Sequence, residues 1–502
     1  MEIVSEALQL VFHYENFLAI ALGVVIGVVV GSIPGLTATM AVALALPFTF
    51  SMEPVAAILL LVGIYKGGMY GGSITAILIR TPGSPASACT LLDGYPMAQQ
   101  GHAKKALKTA LYSSVIADFI SNIALIFFAA YLAKIALNFG APEFFWLICF
   151  SLTIIISLAS GSMIKGLLAA LMGILLSLVG LDEVFGSQRL TFGNYNLMDS
   201  ISFIPLLIGL FAIPEIIEFY RKKAVPHVRA KASGAGLSLA ELKRSMKCIV
   251  RGSLIGVIIG AIPGTGATAA AFISYSDARR RSPRRENFGK GEVEGVAASE
   301  AGNNGVAGAT LIPLLSLGIP GDVITAIILG AFMVHGLTPG PVLFQENLPL
   351  IYALFMGIMC SSLVLLIVGN GAIKYFSLIA EIPKEILFPI VLMFCAYGAY
   401  AVNNNIFDVW LMLGFGVMGY VFNRAAIPAA PFLIGFILGP MFEDNLRRSL
   451  LIGQNDLSVF VRGPITWFFI ALTVGSILLA LYRFVSSRRH SSHGDNTSQE
   501  AP

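Results

Sequence analysis

Long apolar runs, such as residues 53–64 and 464–482, recur along this chain and constrain its fold more than any other feature. They approach the ~20 residues that cross a hydrocarbon core, where only helices and closed barrels satisfy every backbone polar group. The runs lack the period-two alternation of a lipid-facing strand. Charged residues make up 12% of the chain, against about 25% in soluble domains. The sequence therefore predicts an all-α polytopic membrane protein with roughly 11–13 membrane segments and excludes an ordinary soluble enzyme.

The charged residues are clustered rather than spread. Most of the 32 Lys and Arg residues lie in segments 102–108, 221–251 and 279–290 and in the tail after residue 482. The positive-inside rule places these segments in the cytoplasm. The net charge of +4 is too small to indicate a nucleic-acid partner. The five cysteines form no CxxC pair, so neither a disulfide framework nor a metal centre is predicted. The first fifteen residues contain Glu but no Lys or Arg, which is not typical of a signal peptide.

Two halves of the chain share a sequence motif. Residues 27–41 read GVVVGSIPGLTATMA and residues 256–270 read GVIIGAIPGTGATAA, with nine of fifteen positions identical. Farther on, TPGSPASA at 81–88 aligns with IPGDVITA at 319–326 on the Pro-Gly pair. We therefore predict a first repeat, a basic cytoplasmic linker, a second repeat, a terminal transmembrane helix and a disordered cytoplasmic tail. Their predicted bounds are 1–220, 221–250, 251–460, 461–486 and 487–502.

The charges of equivalent loops predict that the repeats have inverted topology. The loop at 51–54 has no basic residue, whereas its counterpart at 279–290 has six. Conversely, the loop at 102–108 is basic and its counterpart at 337–350 contains no Lys or Arg. Equivalent loops are therefore expected on opposite sides, with the N-terminus periplasmic and the C-terminus cytoplasmic. Inverted repeats are typical of secondary transporters, whose substrates bind near the midplane between the repeats.

Four segments rich in Gly, Pro and hydroxyl residues predict broken or re-entrant helical hairpins: 31–39, 67–87, 260–268 and 299–322. Proline interrupts a helix, and the half-helix N-termini that result present N–H groups and partial positive charge to an anion. The alternatives are ordinary inter-helix turns and, for the small residues, close helix packing. The predicted substrate-binding residues are Pro34, Gly35, Thr37, Gly72, Ser73, Thr75, Arg80, Pro82, Gly83, Ser84, Ser87, Pro263, Gly264, Thr265, Asn303, Asn304, Pro320 and Gly321.

Ionisable residues inside apolar stretches are functional candidates. Lys66 and Arg80 flank the first Pro-Gly element, and Arg80 either pairs with a substrate carboxylate or extends to the membrane interface. Glu300 and Asp322 bracket the second element, where a cation site, a proton carrier, a helix cap and an internal pair are all consistent with the pattern. The predicted coupling-ion residues are Asn303, Asn304, Glu300, Asp322 and Thr310, for Na⁺ or H⁺, with no other metal and no cofactor.

At these motifs the chain resembles the large permease of tripartite tricarboxylate transporters, the TctA family. The resemblance extends over residues 15–485 and is carried by GSIPGLTATMAVALALPFTF (31–50), MYGGSITAILIRTPGSPASACTLLDGYPMAQQG (69–101) and SEAGNNGVAGATLIPLLSLGIPGD (299–322). It implies a permease of the bacterial cytoplasmic membrane that works with a TctB-like small membrane subunit and a TctC-like periplasmic solute-binding protein. It also implies import of citrate, other carboxylates or aromatic acids, driven by an ion gradient. The chain has no GxxxxGK[ST] phosphate loop, which agrees with that energy source.

Two other classes of function, an intramembrane enzyme and a passive channel, fit the sequence less well than a transporter does. An intramembrane enzyme is not expected, because HExxH, GxSxG and GxGD motifs are missing. A passive anion channel could also use broken helices, but the inverted repeat favours alternating access. A secondary carboxylate transporter that works without a binding protein is the remaining alternative.

Overall fold

The computed structural model describes residues 2–158, 162–182, 186–221, 234–373, 375 and 384–494. Its first-half helices are α1 Glu2–Val11, α2 Tyr14–Gly31, α3 Ala38–Ala45, α4 Pro54–Ile79, α5 Ser87–Met97, α6 Ala103–Ala136, α7 Ala141–Leu158, α8 Met163–Ser177 and α9 Phe203–Arg221. The later helices are α10 Leu239–Gly260, α11 Gly266–Arg281, α12 Val293–Ala309, α13 Leu311–Leu317, α14 Val323–Val334, α15 Leu343–Glu346, α16 Leu348–Ala372, α17 Lys384–Asn403, α18 Ile406–Arg424, α19 Ala429–Ile452 and α20 Pro464–Gly494.

This architecture confirms the predicted all-α membrane fold. Six of the described helices are long and apolar enough to cross a bilayer, and five shorter apolar helices accompany them. The strands in the described residues are a two-residue pair, β1 Gly180–Leu181 and β2 Gln188–Arg189, which run antiparallel.

The helices pack into two units. Residues 1–137 and 202–421 form the first unit, and residues 138–201 and 422–502 form the second. Within the second unit α8 and α19 approach closely: a Cβ added at Gly173 would lie 2.1 Å from the Phe432 carbonyl oxygen. There too, Arg447 binds the Asp182 carboxylate through two nitrogens, each at 3.1 Å. The predicted functional segments all belong to the first unit.

In the first unit, glycines at every fourth position let α2 lie directly against α4. A Cβ added at any of three glycines would come within 2.6 Å of a backbone carbonyl oxygen of α4. The pairs are Gly23 with Leu60, Gly27 with Ile64 and Gly31 with Gly68. Small residues allow such backbone approach in membranes, where helix association depends on packing and hydrogen bonding.

We call this row of close glycine contacts a glycine seam. The second half repeats it on α10 and α12. The pairs are Gly252 with Ala298, Gly256 with Gly302 and Gly260 with Val306, where the added Cβ would lie 3.3, 2.8 and 3.0 Å from the carbonyl oxygen. Each α10 glycine follows its α2 counterpart by 229 residues, since 252 − 23 = 229. Each α12 partner follows its α4 counterpart by 238, since 298 − 60 = 238. The repeated sequence therefore forms a repeated helix pair.

The helices extend farther than the sequence predicts. The glycine-rich residues 67–79 continue α4, and the first break begins only at Arg80. In the second half α12 runs through Asn303 to Ala309. Helix α10 begins at Leu239, inside the stretch 221–250 that was predicted as a linker, while residues 222–233 lie outside the described residues. Helix α20 continues to Gly494 through the start of the predicted tail, and residues 495–502 also lie outside the described residues.

The glycine seam predicts that the effect of a Gly→Ala substitution on stability depends strongly on its position. Gly27→Ala places its methyl group against backbone that cannot move aside, and such overpacking costs about 1–3 kcal/mol. Gly414→Ala, in α18 with nothing within 4 Å of its added Cβ, gains helix propensity without a clash. Thermal unfolding in detergent is expected to show a lower midpoint for Gly27→Ala and an unchanged or higher one for Gly414→Ala. Equal midpoints for the two variants would contradict the seam.

Candidate substrate and ion site

The first Pro-Gly element, residues 81–84, packs against α4. It follows Arg80, which ends α4 in the left-handed backbone conformation. Arg80 has φ 57° and ψ 24°, which turns the chain back. The Gly83 amide then donates to the Gly72 carbonyl at 3.1 Å. A Cβ on Gly83 would lie 2.6 Å from the Gly72 Cα, so glycine is required at this contact. The predicted substrate residues Gly72 and Gly83 thus contact each other.

The second Pro-Gly element repeats this geometry. Gly318 ends α13 with φ 72° and ψ 17°, as Arg80 ends α4. A Cβ on Gly321 would lie 2.8 Å from the Thr310 Cα. Gly318, Gly321 and Thr310 follow Arg80, Gly83 and Gly72 by 238 residues each. This element also meets the loop after α10, because the Gly264 amide donates to the Gly321 carbonyl at 2.8 Å.

Reciprocal hydrogen bonds fix the turn that follows each element. The Ser84 amide donates to the Ser87 hydroxyl at 3.0 Å, and the Ser87 amide donates to the Ser84 hydroxyl at 3.2 Å. At the equivalent positions the Asp322 amide donates to the Thr325 hydroxyl at 2.8 Å, and the Thr325 amide to the Asp322 carboxylate at 2.7 Å. Both turns therefore lead into their helices, α5 and α14, with the same local chemistry.

Side chains of the two halves meet between these elements. The Tyr65 hydroxyl of α4 donates to the Asp322 carboxylate at 2.9 Å. The Ser73 hydroxyl, also on α4, donates to the Glu300 carboxylate of α12 at 2.5 Å. The structure thus brings together the predicted residues Ser73 and Glu300, which are 227 positions apart in sequence. It also joins the predicted Asp322 to Tyr65, which the sequence did not indicate.

Glu300 is the centre of a buried polar group that we call the Glu300 cluster. Its carboxylate is fully buried and accepts hydrogen bonds from four helices: Ser73 of α4, Thr90 of α5, Ser114 of α6 and, at 3.3 Å, Asn304 of α12. Among the described residues no Lys, Arg or His forms an ion pair with it. A carboxylate buried without a cationic partner is costly unless a proton or a cation neutralises it.

Lys66 lies within α4 rather than at the edge of the first element where the sequence placed it. It is 1% exposed and forms an ion pair with Asp118 of α6 at 2.8 Å. The Lys66 ammonium also donates to the Asn122 side chain and the Ile358 carbonyl. Ser362 of α16 donates to Asp118 at 2.5 Å. Lys66 is therefore neutralised within the protein.

The remaining predicted residues have differing surroundings. Arg80 is exposed, with its guanidinium 5.7 Å from the centre of the Tyr95 ring. Gly35 has φ 91° and nothing within 4 Å of an added Cβ. Pro34, Pro263 and Pro320 are buried, whereas Pro82 is exposed.

The predicted hydroxyl groups mostly satisfy nearby backbone. The Thr37 hydroxyl accepts from the Met40 amide and caps α3. Thr75 donates to the Gly72 carbonyl, Thr265 to the Ile262 carbonyl and Thr310 to the Ala307 carbonyl. These hydrogen bonds stabilise the helix breaks. A structural role of this kind is the alternative to ligand binding at these positions.

Asn303 differs from these residues. It is 1% exposed, yet within the described parts of the chain neither its side-chain nitrogen nor its side-chain oxygen has a hydrogen-bond partner. Buried amide groups are normally paired, so this side chain indicates a polar group that binds beside it.

Sequence reasoning did not identify three residues of this region. Tyr65 contacts Asp322, and Thr90 and Ser114 complete the Glu300 cluster. The position of Asp118 in the opening turns of an apolar span favours a structural role, and its ion pair with Lys66 agrees with that role. Nothing in the sequence indicated which helix faces Thr90 and Ser114 share. Asp93 is fully buried and accepts hydrogen bonds from three backbone amides at 289–292.

The Lys66–Asp118 pair predicts a non-additive effect on stability. Lys66→Met leaves the Asp118 charge buried without its cation, and breaking such a pair costs about 3–5 kcal/mol. The double variant Lys66→Met/Asp118→Leu removes both charges and is expected to recover part of the loss in thermal midpoint. A double variant that is destabilised by the sum of both single effects would show that the charges do not interact.

Comparisons with known proteins show the family of the chain. The model of the tripartite tricarboxylate transporter TctA family matches residues 17–434. An uncharacterized 52.8 kDa protein from the TAR-I ttuC' 3' region of Agrobacterium vitis is 39% identical over 475 residues, 94% of this chain and 95% of that protein. A second uncharacterized protein, from the TAR-II ttuC' 3' region of the same organism, is 38% identical over 234 residues, 47% of this chain and 97% of that protein. No solved structure matches the chain. The chain therefore belongs to the tripartite tricarboxylate transporter TctA family.

Proposed function

We propose that this protein is the permease subunit of a binding-protein-dependent secondary transporter that imports organic di- or tricarboxylates by ion-coupled alternating access. Its partners are a small membrane subunit and a periplasmic solute-binding protein. It lies in the bacterial inner membrane with a periplasmic N-terminus and a cytoplasmic C-terminus, so that its basic loops face the cytoplasm. Membership of a tripartite transporter family supports these assignments.

The observation that carries the proposal is that the helices leading into the two Pro-Gly elements, one from each half, contact each other and the opposite half. Tyr65 and Ser73 on the helix before the first element contact Asp322 and Glu300 on either side of the second. Broken helices of two repeats that meet in this way are typical of the substrate sites of secondary transporters. Movement of one half against the other would open such a site to each side in turn.

The substrate is an anion because the first element offers donors rather than acceptors. The N-terminal turn of α5 presents backbone N–H groups and the positive end of a helix dipole. The exposed Arg80 directly precedes the same element, where its guanidinium can bind a carboxylate. Lys66 does not contribute, because Asp118 neutralises it.

The coupling ion binds in the Glu300 cluster. A carboxylate surrounded by hydroxyl oxygens of Ser73, Thr90 and Ser114 provides the hard oxygen ligands that Na⁺ prefers, and the same carboxylate can carry a proton. Asn304 completes the cluster. Thr310 and Asp322 are engaged in helix-end hydrogen bonds, so we assign them a supporting role.

Uptake into proteoliposomes tests the function. The permease and the small subunit would be reconstituted with the binding protein added outside, using radiolabelled citrate, succinate and benzoate as probes. We expect accumulation above the external concentration for at least one probe, and only with the binding protein and an inward Na⁺ or H⁺ gradient. Equilibration without accumulation would instead indicate a channel. Accumulation without the binding protein would indicate an autonomous carrier.

Glu300→Gln, measured in the same vesicles, tests the coupling site. Removing the carboxylate charge is expected to reduce accumulation to the level without an ion gradient. Glu346→Gln, at an exposed acid of α15, is the matched control and should accumulate the probe as the original protein does. Gradient-driven accumulation by Glu300→Gln would exclude this carboxylate as the coupling group.

A further inference from the structure

Each half donates hydrogen bonds to the other from equivalent positions. Lys66 and Asn304 are equivalent, because 304 − 66 = 238. Lys66 of the first half donates to the Ser362 hydroxyl of the second half at 3.3 Å, and Asn304 of the second half donates to the Ser114 hydroxyl of the first half at 2.8 Å. The acceptors are 362 − 114 = 248 residues apart, so the equivalence at this offset applies to the donors on α4 and α12. An inverted repeat relates such donors by a twofold axis.

The same relation identifies the place that Asn303 faces. Asn303 is equivalent to Tyr65, and Ser84 is equivalent to Asp322, at the same offset of 238. Tyr65 donates across the halves to the Asp322 carboxylate at 2.9 Å. The twofold relation therefore directs the buried, unpartnered Asn303 amide toward the turn at Ser84–Ser87.

The two equivalent places differ in what fills them. In the second half a tyrosine ring and the carboxylate of Asp322 occupy the space, and that carboxylate also accepts the Thr325 amide at the start of α14. In the first half the twofold relation places the shorter Asn303 amide opposite a neutral serine, so no carboxylate stands at the position equivalent to Asp322. The neighbouring acid on α12, Glu300, is held by Ser73, Thr90 and Ser114 instead. The Asp322 carboxylate thus occupies a position that is left to an external anion in the first half.

We propose that a carboxylate group of the transported anion binds between the Ser84–Ser87 turn and the Asn303 side chain, taking the place that Asp322 occupies in the second half. The Asn303 Nδ2 group donates to it, together with N–H groups at the start of α5 other than those of Ser84, Ser87 and Cys89, which are already paired. This inference rests on the proposed function and assigns the substrate carboxylate to one of its two Pro-Gly elements. In the second element the Asp322 carboxylate already fills the equivalent position.

Exposure of the two elements agrees with this assignment. Pro82 and Pro85 are exposed and Ser84 is half-buried, so the first element can be reached. Pro320 and Gly321 of the second element are buried.

The test introduces a carboxylate where the substrate carboxylate is expected. Ser84→Asp reproduces the residue that the second half carries at this turn, so the turn can still form. Ser84→Asn is its neutral match. Because a second carboxylate at the binding site repels the substrate carboxylate, Vmax/KM for uptake by Ser84→Asp, with citrate and succinate as probes, is expected to fall about tenfold or more below that of Ser84→Asn. Asn303→Asp is expected to lose uptake similarly against the original protein. Equal uptake by Ser84→Asp and Ser84→Asn would overturn the inference while leaving the proposed function intact.

A protection measurement covers the case in which Ser84→Asp does not fold. In the full complex, maleimide labelling of Ser84→Cys should slow in the presence of citrate or succinate, whichever the original protein transports. Labelling of Ser187→Cys, at an exposed residue of the second unit, should not change. Unprotected Ser84→Cys in a complex that transports the probe would refute the assignment. Absence of carboxylate transport by the original complex would instead refute the proposed function.

Discussion

Every backbone polar group inside a bilayer must find a partner within the protein, and this requirement determines where the chain can be interrupted. Each Pro-Gly element breaks a helix and exposes amide and carbonyl groups. The structure pairs them through glycine contacts, Gly83 with Gly72 and Gly264 with Gly321, and through the reciprocal turns that precede α5 and α14. The glycine seams bring the flanking helices close enough for these contacts. Without them the interruptions would leave unsatisfied groups in hydrocarbon.

Two of the buried acids at the interface of the halves, Asp118 and Glu300, have different surroundings. Asp118 has a lysine 2.8 Å away, which balances its charge. Glu300 has hydroxyl and amide donors but no cation among the described residues. We propose that a mobile cation or proton neutralises Glu300, which is the property expected of a coupling site. Under this proposal coupling and substrate binding share α12, since Asn303 and Glu300 lie within one turn of this helix.

Much of this arrangement was predictable from the sequence, for identifiable reasons. The apolar runs predicted the helical membrane fold, and the Pro-Gly pairs predicted the breaks, because both depend on local chemistry. The run GGMYGGSITA was interpreted as part of a break but is regular helix, since a partner helix needs its small residues. Lys66 was placed at an edge because the sequence does not show that Asp118, on another helix, faces it. The unpartnered amide of Asn303 depends on packing between halves, which no local pattern encodes.

The proposed site requires that the two halves are inverted copies of each other. Single-cysteine accessibility in right-side-out and inside-out vesicles tests this relation, using one exposed residue from each loop of the two equivalent pairs: Glu53 and Arg285, His102 and Glu346. We expect His102→Cys and Arg285→Cys to react only from the cytoplasmic side. Glu53→Cys and Glu346→Cys should react only from the periplasmic side. Reaction of the equivalent positions 53 and 285 from the same side would contradict the inverted relation.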